Sequence, residues 1–395
     1  MSDRRALVPF AVFSAGYFAH VGFINPYLPL WLQGMGHNLL AIGLLTALQP
    51  ATRLFAPYAW GWLSDHTGHR VWLLRYCALA AGLASLLLWL ELPLWALSAV
   101  LLLMFTHTSA MIPLSETVLA QVVSHEGRLD MRRYGRVRLW GSAGFLLTVL
   151  LAGAWFEQRG LSAFPLWVSG TLLAVVLSTW TLTDRRDPRP AGQVRQRVWP
   201  VLRQPPVAWF FLSVFLHVLA HVFVYTFFSL YLDRLGYSKT VIGLLWAASV
   251  VMEIGWFYTQ GRWMRRLPLN GWLQLAAALA VLRMGLTAGL ADWLWVLFLA
   301  QALHALTFAA HHTACIAFVQ GHFPGDLRGR GQALYAVLGY GVSGVTGGVL
   351  GGWLSQQAGL SAVFWLAALV AAGAVWAARR AARADTAVAA AQVPG

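Results

Sequence analysis

Long apolar runs, separated by short polar breaks, recur along the whole 395-residue chain. In residues 79–90, 94–105 and 146–156, for example, nearly every position is apolar. A helix needs about 20 apolar residues to cross the hydrocarbon core of a bilayer. By that criterion the pattern predicts an all-α polytopic membrane protein with twelve spanning helices, at residues 7–33, 39–64, 71–90, 94–123, 135–156, 163–183, 207–232, 240–261, 269–290, 293–319, 331–354 and 362–378.

The second half of the chain repeats the first at an offset of 200 residues. Ile42-Gly43-Leu44-Leu45 returns at 242–245, and Gly141-x-x-Gly144 returns at 341–344. The repeat predicts two pseudo-symmetric six-helix bundles, residues 1–183 and 207–395. They are joined by a cytoplasmic linker at 184–206 that is rich in Arg, Pro and Gln. Internal repeats of this kind are typical of secondary transporters.

Charge is scarce and unevenly placed. Only 11% of the residues are charged, against about a quarter in soluble domains. The net charge of +14 comes from basic residues that fall in alternate loops, which argues against a nucleic-acid partner. This positive-inside pattern predicts a multi-pass protein of the cell inner membrane with both termini in the cytoplasm. Its partners are then the lipid bilayer and a small-molecule substrate, and we expect a monomer.

A polar loop between the second and third predicted helices contains Gly61, Asp65, Gly68 and Arg70. It resembles the loop motif of the major facilitator superfamily, a likeness that implies the fold of two six-helix bundles. Asp65 can cap the following helix or pair with a cytoplasmic arginine. The resemblance implies that such a pair latches the inner gate, whereas the plainer interpretation is an ordinary short capped loop.

Ionisable residues inside the spans are few and costly, so they mark functional sites. They are Arg53, Glu116, Glu253 and Arg283, with Arg138 just inside the fifth predicted helix. Arg53 and Glu253 occupy matching positions of the repeat. Arg53 is about 18 Å from Asp65 at 1.5 Å per residue, near the middle of the bilayer. Arg53 and Glu253 can form a structural lock between the halves, or a substrate and proton site where the halves meet.

Several of these residues lie in longer patterns. Pro113-x-x-Glu116 is followed by Gly135-Arg-x-Arg138-x-x-Gly141, and later come Val281-Leu-Arg283 and Gln301-x-x-His304-x-x-Thr307. The set resembles the oligosaccharide–proton symporter branch, which includes lactose permease, and is most similar to phenylpropionic acid permeases. This resemblance implies that Glu116 and Arg138 contact substrate. Thr307 stands where lactose permease has its proton-releasing glutamate, so coupling must use Glu116, Glu253 or a histidine such as His304.

The remaining histidines give weaker indications. His217 and His221 share a helix face, and His311 follows His304 by two turns. No acid accompanies them on those helices, so we expect no metal site. We expect them to line a water-filled cavity, where imidazoles can carry protons.

These observations favour a secondary transporter over other classes. No GxxxxGK[ST] phosphate-binding loop is present, which excludes an ATP-driven pump, and we expect neither an enzyme nor a cofactor other than the coupling proton. Three arginines against two glutamates leave one surplus positive charge in the spans, which a monoanion would neutralise. The leading hypothesis is proton-coupled import of a small aromatic or organic carboxylate such as 3-phenylpropionate. The alternatives are a sugar–proton symporter and, third, an exporter of drugs or metabolites; against export, the fifth predicted helix lacks the Gly-Pro motif of such exporters.

Overall fold

The computed structural model describes residues 2–125, 128–183 and 198–391. In this part of the chain, twelve helices are long and apolar enough to cross a membrane, as predicted. We number them α1 to α12. The uninterrupted ones are α1 (Ser2–Gly34), α3 (Arg70–Leu86), α4 (Leu94–Val123), α5 (Met131–Arg159), α6 (Phe164–Trp180), α7 (Pro205–Arg234), α8 (Lys239–Trp263), α9 (Leu269–Gly289) and α12 (Leu360–Ala391).

The other three spans are interrupted or contain a wide turn. α2 is formed by Leu39–Thr52 and Ala56–Thr67. α10 contains Leu294–Ala302, a π-helical turn at Ala305–Ala310, and His311–His322. α11 contains Arg328–Leu334, a π-helical turn at Tyr335–Val342, and Ser343–Ala358. A two-residue antiparallel ladder, Ser124–His125 with Arg128–Leu129, lies between α4 and α5.

The break in α2 was not predicted, and it falls at Arg53. The N–H groups of Arg53, Leu54 and Phe55 donate to carbonyls three residues earlier instead of four. Pro57 has no N–H to offer the carbonyl of Arg53, so a regular helix cannot run through this point. The matching segment around Glu253 has no proline and stays helical within α8.

Two other boundaries differ from the prediction. α12 continues to Ala391 because residues 379–391 are rich in alanine, the strongest helix former. α7 begins at Pro205, inside the segment predicted to be a linker, because proline is favoured in the first turn of a helix. A further short helix, Trp199–Leu202, precedes it. Residues 184–197 of that segment lie outside the described residues.

The chain divides into two compact units. Unit 1 contains residues 1–37, 48–191 and 237–244, and unit 2 contains 38–47, 192–236 and 245–395. Each unit therefore includes one short segment from the other half of the sequence. The boundaries of the two predicted bundles stay a prediction.

In unit 1, α1 packs along α5, and α6 packs against α1 and α3. The approach of α1 and α5 is close because Gly144 faces the backbone of Ala15, where a Cβ would clash with the carbonyl oxygen. The first turn of α8 is held in this unit by Tyr27, whose hydroxyl donates to the carbonyls of Val149 at 3.1 Å and Lys239 at 3.2 Å. This packing fixes α5, which carries Arg138.

In unit 2, α7 packs against α12 and α11, and α9 packs against α12. The glycines of α11 face two neighbours. Gly351 meets the rings of Phe227 and Phe223 on α7, while Gly348 and Gly352 face Gly43 in the first turns of α2. Small residues let helix backbones approach closely in a membrane.

Candidate functional site

A cluster of three polar side chains in unit 1 links α4 and α5. Nη1 of Arg138 lies 3.2 Å from Oε1 of Glu116, and the Tyr134 hydroxyl donates to the same oxygen at 3.1 Å. The Arg138 guanidinium also lies over the ring of Phe18, 4.9 Å from its centroid. The side chains of Arg138 and Glu116 are 42% and 37% exposed. We call Glu116, Tyr134 and Arg138 the Arg138 site; its arginine is partly accessible for a second anion.

Tyr17 on α1 connects Arg53 to this region. Its hydroxyl is close enough to interact electrostatically with Arg53, Arg138 and Glu116. Arg53 is exposed at the break of α2. Discontinuous helices are a recurring way of building substrate sites in transporters. Unit 1 thus places two arginines around one tyrosine.

A narrow cleft adjoins the Arg138 site, with a volume of about 20 Å³. In this conformation it has room for about one water molecule. Apolar side chains make up most of the wall, and the polar groups are Ser14, Ser115, Glu116 and Arg138; the apolar lining residues are Phe10, Phe13, Ile112, Leu119 and Val137. In the cleft, apolar side chains lie beside a guanidinium.

A second cluster lies in unit 2 around Arg283 of α9, which is 2% exposed. Its Nη1 donates to Nδ1 of His304 at 3.0 Å and to the Thr307 hydroxyl at 3.2 Å, and its Nη2 donates to Oε1 of Gln301 at 3.0 Å. All three hydrogen-bond partners are therefore acceptors on α10. Among the described residues, no carboxylate lies within salt-bridge distance of this guanidinium.

His304 connects Arg283 to Glu253 of α8. A guanidinium can only donate, so Nδ1 of His304 must accept and its proton resides on Nε2. Nε2 lies 3.6 Å from Oε2 of Glu253. The imidazole is thereby held as one neutral tautomer between a cation and a carboxylate. We call Glu253, Arg283, Gln301, His304 and Thr307 the Arg283 cluster.

The π-helical turn of α10 follows His304 directly and contains Thr307. Such wide turns are uncommon and are frequent at functional sites. The imidazole of His304 stacks on Phe308, with centroids 5.0 Å apart. The segment that includes this turn brings three side chains to the Arg283 guanidinium, namely Gln301, His304 and Thr307.

The other histidines are not where we expected them. His217, His221 and His311 do not line a water-filled cavity; they are buried, at 2%, 2% and 3% exposure. The His217 ring stacks on His311 with centroids 3.7 Å apart, and Sγ of Cys315 lies 3.6 Å from the His311 ring nitrogens. The His217 ring lies between α7 and α10, where it hydrogen-bonds to the Thr307 carbonyl and stacks on His311. In the part of the chain that the structure describes, no group of His, Cys, Asp or Glu has the arrangement of a metal site.

The polar loop after α2 is formed partly as predicted. Arg70 lies 3.7 Å from Asp65, and Gly68 ends the helix in a left-handed conformation with φ of 70°. Within the described part of the chain, Asp65 pairs with Arg70 instead of capping α3, and the N-cap residue His69 makes no side-chain cap hydrogen bond. Gly61 is helical and a Cβ there would meet nothing within 4 Å, so no close approach requires a glycine at this position. The pair of Asp65 and Arg70 is local and largely exposed at Asp65, an arrangement that contributes little stability.

The structure thus groups the predicted residues into two sets. Glu116 and Arg138 form one, and Glu253, Arg283 and His304 form the other. Arg53 and Glu253 belong to different units. The sequence analysis did not select Tyr134, Gln301 or Thr307 as site residues, although Gln301 and Thr307 stand inside the motifs that carry the family resemblance and Tyr134 directly precedes one of them.

Twelve apolar spans that carry two polar clusters, one buried and one partly exposed, are typical of a polytopic membrane transporter. A family model matches residues 10–366, and the chain belongs to the MFS_1-like family, which confirms the resemblance to the major facilitator superfamily. The protein is therefore a transporter and not an enzyme.

Individual relatives agree with this assignment. The chain is 29% identical to a probable 3-phenylpropionic acid transporter of Escherichia coli (strain K12), over 90% of this chain and 92% of the relative. It is 25% identical to the maltose permease of Geobacillus stearothermophilus, over 91% and 90%. A crystal structure of the nucleoside transporter NupG, in a mutant form, has a TM-score of 0.83 at 15% identity, and the match covers 95% of this chain and 99% of that one. The last comparison concerns the fold alone.

Proposed function

We propose that this transporter imports a small aromatic carboxylate, such as 3-phenylpropionate, together with a proton. The observation that carries the proposal is the cleft beside the Arg138 site, which has apolar walls, two phenylalanine rings and one guanidinium. An aromatic ring gains contact with such walls, and a carboxylate forms charge-assisted hydrogen bonds with arginine. The relationship to the probable 3-phenylpropionic acid transporter supports the same class of substrate.

The alternative is a sugar–proton symporter, which the relationship to the maltose permease supports. A sugar presents many hydroxyl groups, and each buried hydroxyl needs a partner. The cleft offers polar side chains at only four of its nine lining positions, and the carboxylate of Glu116 already accepts from Arg138 and Tyr134. This composition favours a substrate with one charged and one apolar end.

The Arg283 cluster is our proposed coupling site. A buried charge is costly unless it is compensated. Among the described residues, the hydrogen-bond partners of Arg283 are all neutral, and Glu253, beyond His304, is the acid of the cluster. Nδ1 of His304 is occupied by Arg283, so the histidine cannot take up a second proton without losing that bond. Glu253 is therefore the group that accepts the coupling proton. Its protonation leaves Arg283 uncompensated and so favours entry of an anion.

The proposed location is the cell inner membrane, with both termini in the cytoplasm. The loop that precedes α9, the first turn of α11 and the segment that ends α12 contain arginines, and the loops that precede α4 and α10 contain no arginine or lysine. Basic residues are retained on the cytoplasmic side during insertion.

Uptake into proteoliposomes tests the substrate and the coupling together. Vesicles containing the purified protein receive labelled 3-phenylpropionate or labelled maltose, with the outside more acidic than the inside. We expect 3-phenylpropionate to accumulate above its equilibrium level, and a protonophore to abolish the accumulation. Accumulation of maltose alone would overturn the carboxylate assignment, and transport driven without a proton gradient would overturn the coupling.

A pair of variants makes the assay specific for the proposed site. Arg138→Gln removes the guanidinium beside the cleft, and we expect the KM for 3-phenylpropionate to rise at least about tenfold, as loss of a hydrogen bond to a charged group predicts. Arg136→Gln is the matched control, because Arg136 lies on the same helix, is exposed and does not line the cleft. Equal effects of the two substitutions would contradict the proposed site.

A further inference from the structure

The π-helical turn of α10 has a backbone carbonyl that its own helix does not satisfy in the regular way. In an α-helix the Thr307 carbonyl would accept from the N–H of His311, four residues later. That N–H donates instead to the carbonyl of Phe308. The Thr307 carbonyl is thereby displaced from the regular α-helical pattern and can accept from a donor on another helix.

His217 of α7 supplies that donor. Its Nε2 lies 2.6 Å from the Thr307 carbonyl oxygen. A carbonyl can only accept, so Nε2 carries the proton and the neutral imidazole leaves Nδ1 without one. In the described structure Nδ1 has no hydrogen-bond partner and the ring stacks on His311. The imidazole thus makes a single polar contact, and that contact is with α10.

We propose that His217 is a positioning residue that holds the π-helical turn of α10 and thereby keeps the Thr307 hydroxyl on Arg283. The hydroxyl accepts from Nη1 of Arg283 at 3.2 Å, so one residue receives His217 on its backbone and Arg283 on its side chain. The functional part of this inference rests on the proposed role of the Arg283 cluster. The structural part stands independently of it.

The second π-helical turn, in α11, differs in where the side-chain donor to its carbonyl comes from. In α11 the Ser343 hydroxyl lies within hydrogen-bond distance of the Leu338 carbonyl of its own helix, at 3.1 Å, and of the Phe215 carbonyl of α7, at 3.2 Å. In the turn of α10 the side-chain donor itself comes from the neighbouring helix. A residue that links two helices at a polar cluster can set the geometry of that cluster.

His221 provides a matched control on the same face of α7. It is also buried, and its Nδ1 donates to the His217 carbonyl of its own helix, while Nε2 has no partner in the described structure. It makes no hydrogen bond to α10. Replacing it removes an identical side chain one turn away without removing the donor to Thr307.

Hydrogen–deuterium exchange of the full-length protein, read by mass spectrometry over residues 303–312, tests the structural part. We expect His217→Leu to speed amide exchange in this segment about tenfold, because a buried hydrogen bond that restrains local opening is lost. His221→Leu leaves the exchange unchanged. His217→Gln restores slow exchange and His217→Asn does not, because only the longer amide reaches the position of Nε2. Unchanged exchange in His217→Leu, or failure of the glutamine to restore it, overturns the proposal.

Transport measurements test the functional part. We expect gradient-driven uptake of 3-phenylpropionate by His217→Leu to fall about tenfold, as loss of one buried hydrogen bond predicts, with recovery in His217→Gln. Adding Thr307→Val to His217→Leu should cause no further loss, because both changes remove the same support of Arg283. Additive losses overturn the route through Thr307. Faster exchange with normal uptake overturns the role of the Arg283 cluster in transport and leaves the structural link intact. If His217→Leu does not fold, the glutamine and asparagine variants decide the matter by the same readouts.

Discussion

At the scale of single residues, Glu253 is the sharpest point of the proposed mechanism. Glu253→Gln keeps an acceptor for the Nε2 proton of His304 but cannot take up a proton. We expect gradient-driven accumulation to be lost, while exchange of substrate across the membrane stays within about threefold of the original rate because the hydrogen bond is retained. Uptake and counterflow in the same proteoliposomes measure the two activities separately.

The matched control is Glu91→Gln, the same chemical change at an exposed position between α3 and α4. It should leave both activities as they were. Persistent accumulation in Glu253→Gln would remove this residue from the coupling step and return the assignment to Glu116 or His304.

The residues of both clusters could be predicted from the sequence to a large extent, because charge inside an apolar span is conspicuous. Arg283, Glu253 and Arg138 stand out on cost alone. The contributions of Thr307 and His217 could not be predicted in the same way. Neither residue carries a formal charge that would make it stand out inside an apolar span. The hydrogen bond that joins them runs from the His217 ring to the backbone carbonyl of Thr307, which lies in an irregular turn. No side-chain pattern in the sequence reports such a group.

At the scale of helices, Gly243 tests whether the start of α8 depends on close packing. A Cβ at Gly243 would lie 2.7 Å from the Tyr27 hydroxyl and 2.8 Å from the Val149 carbonyl oxygen, and the backbone cannot yield cheaply. We expect Gly243→Ala to lower the melting temperature by several degrees, since such overpacking costs about 1 to 3 kcal/mol. The intrinsic tryptophan fluorescence of the purified protein reports the transition.

Gly255→Ala on the same helix separates packing from helix propensity. A Cβ at Gly255 meets nothing within 4 Å, so this substitution gains helix propensity of up to about 1 kcal/mol without a clash. The two changes should therefore move the melting temperature in opposite directions. A common shift would mean that the contact with Tyr27 and Val149 is not limiting.

The spans of the helices could be predicted from the sequence, whereas their breaks and wide turns were not. Apolar runs predicted all twelve spans, with most ends within a few residues, because a helix that crosses the bilayer must be apolar over a minimum length. The break of α2 was foreseeable from Pro50 and Pro57, but the apolar pattern alone predicted one continuous helix. The π-helical turns of α10 and α11 contain no proline, and they depend on contacts with other residues such as His217 that only the fold supplies.

At the scale of the whole molecule, each compact unit is completed by a segment from the other half of the sequence. Residues 38–47 belong to unit 2 and residues 237–244 to unit 1, at almost the same offset of 200 that the sequence repeat shows. The hydrogen bonds follow the same plan. The Leu39 N–H donates to Gln356 at 3.2 Å in unit 2, and the Lys239 N–H donates to Glu157 at 2.6 Å in unit 1. The duplication is therefore visible in the contacts as well as in the helix count.

We expect the orientation of the chain in the membrane to follow from the unequal distribution of basic residues between the two ends of its spans. On one side the described segments contain clustered arginines, namely Arg262, Arg265, Arg266, Arg328, Arg330, Arg379, Arg380 and Arg383; on the other they contain Arg159, Arg234 and Lys239. Arginine-rich short loops stay in the cytoplasm.

A green fluorescent protein fused after Gly395 should therefore fluoresce, while alkaline phosphatase at the same position should be inactive. Fusions after Gly236, between α7 and α8, should give the reverse result. Active phosphatase after Gly395 would invert the topology, and it would place the loop containing Asp65 and Arg70 outside the cell, where it could not latch an inner gate.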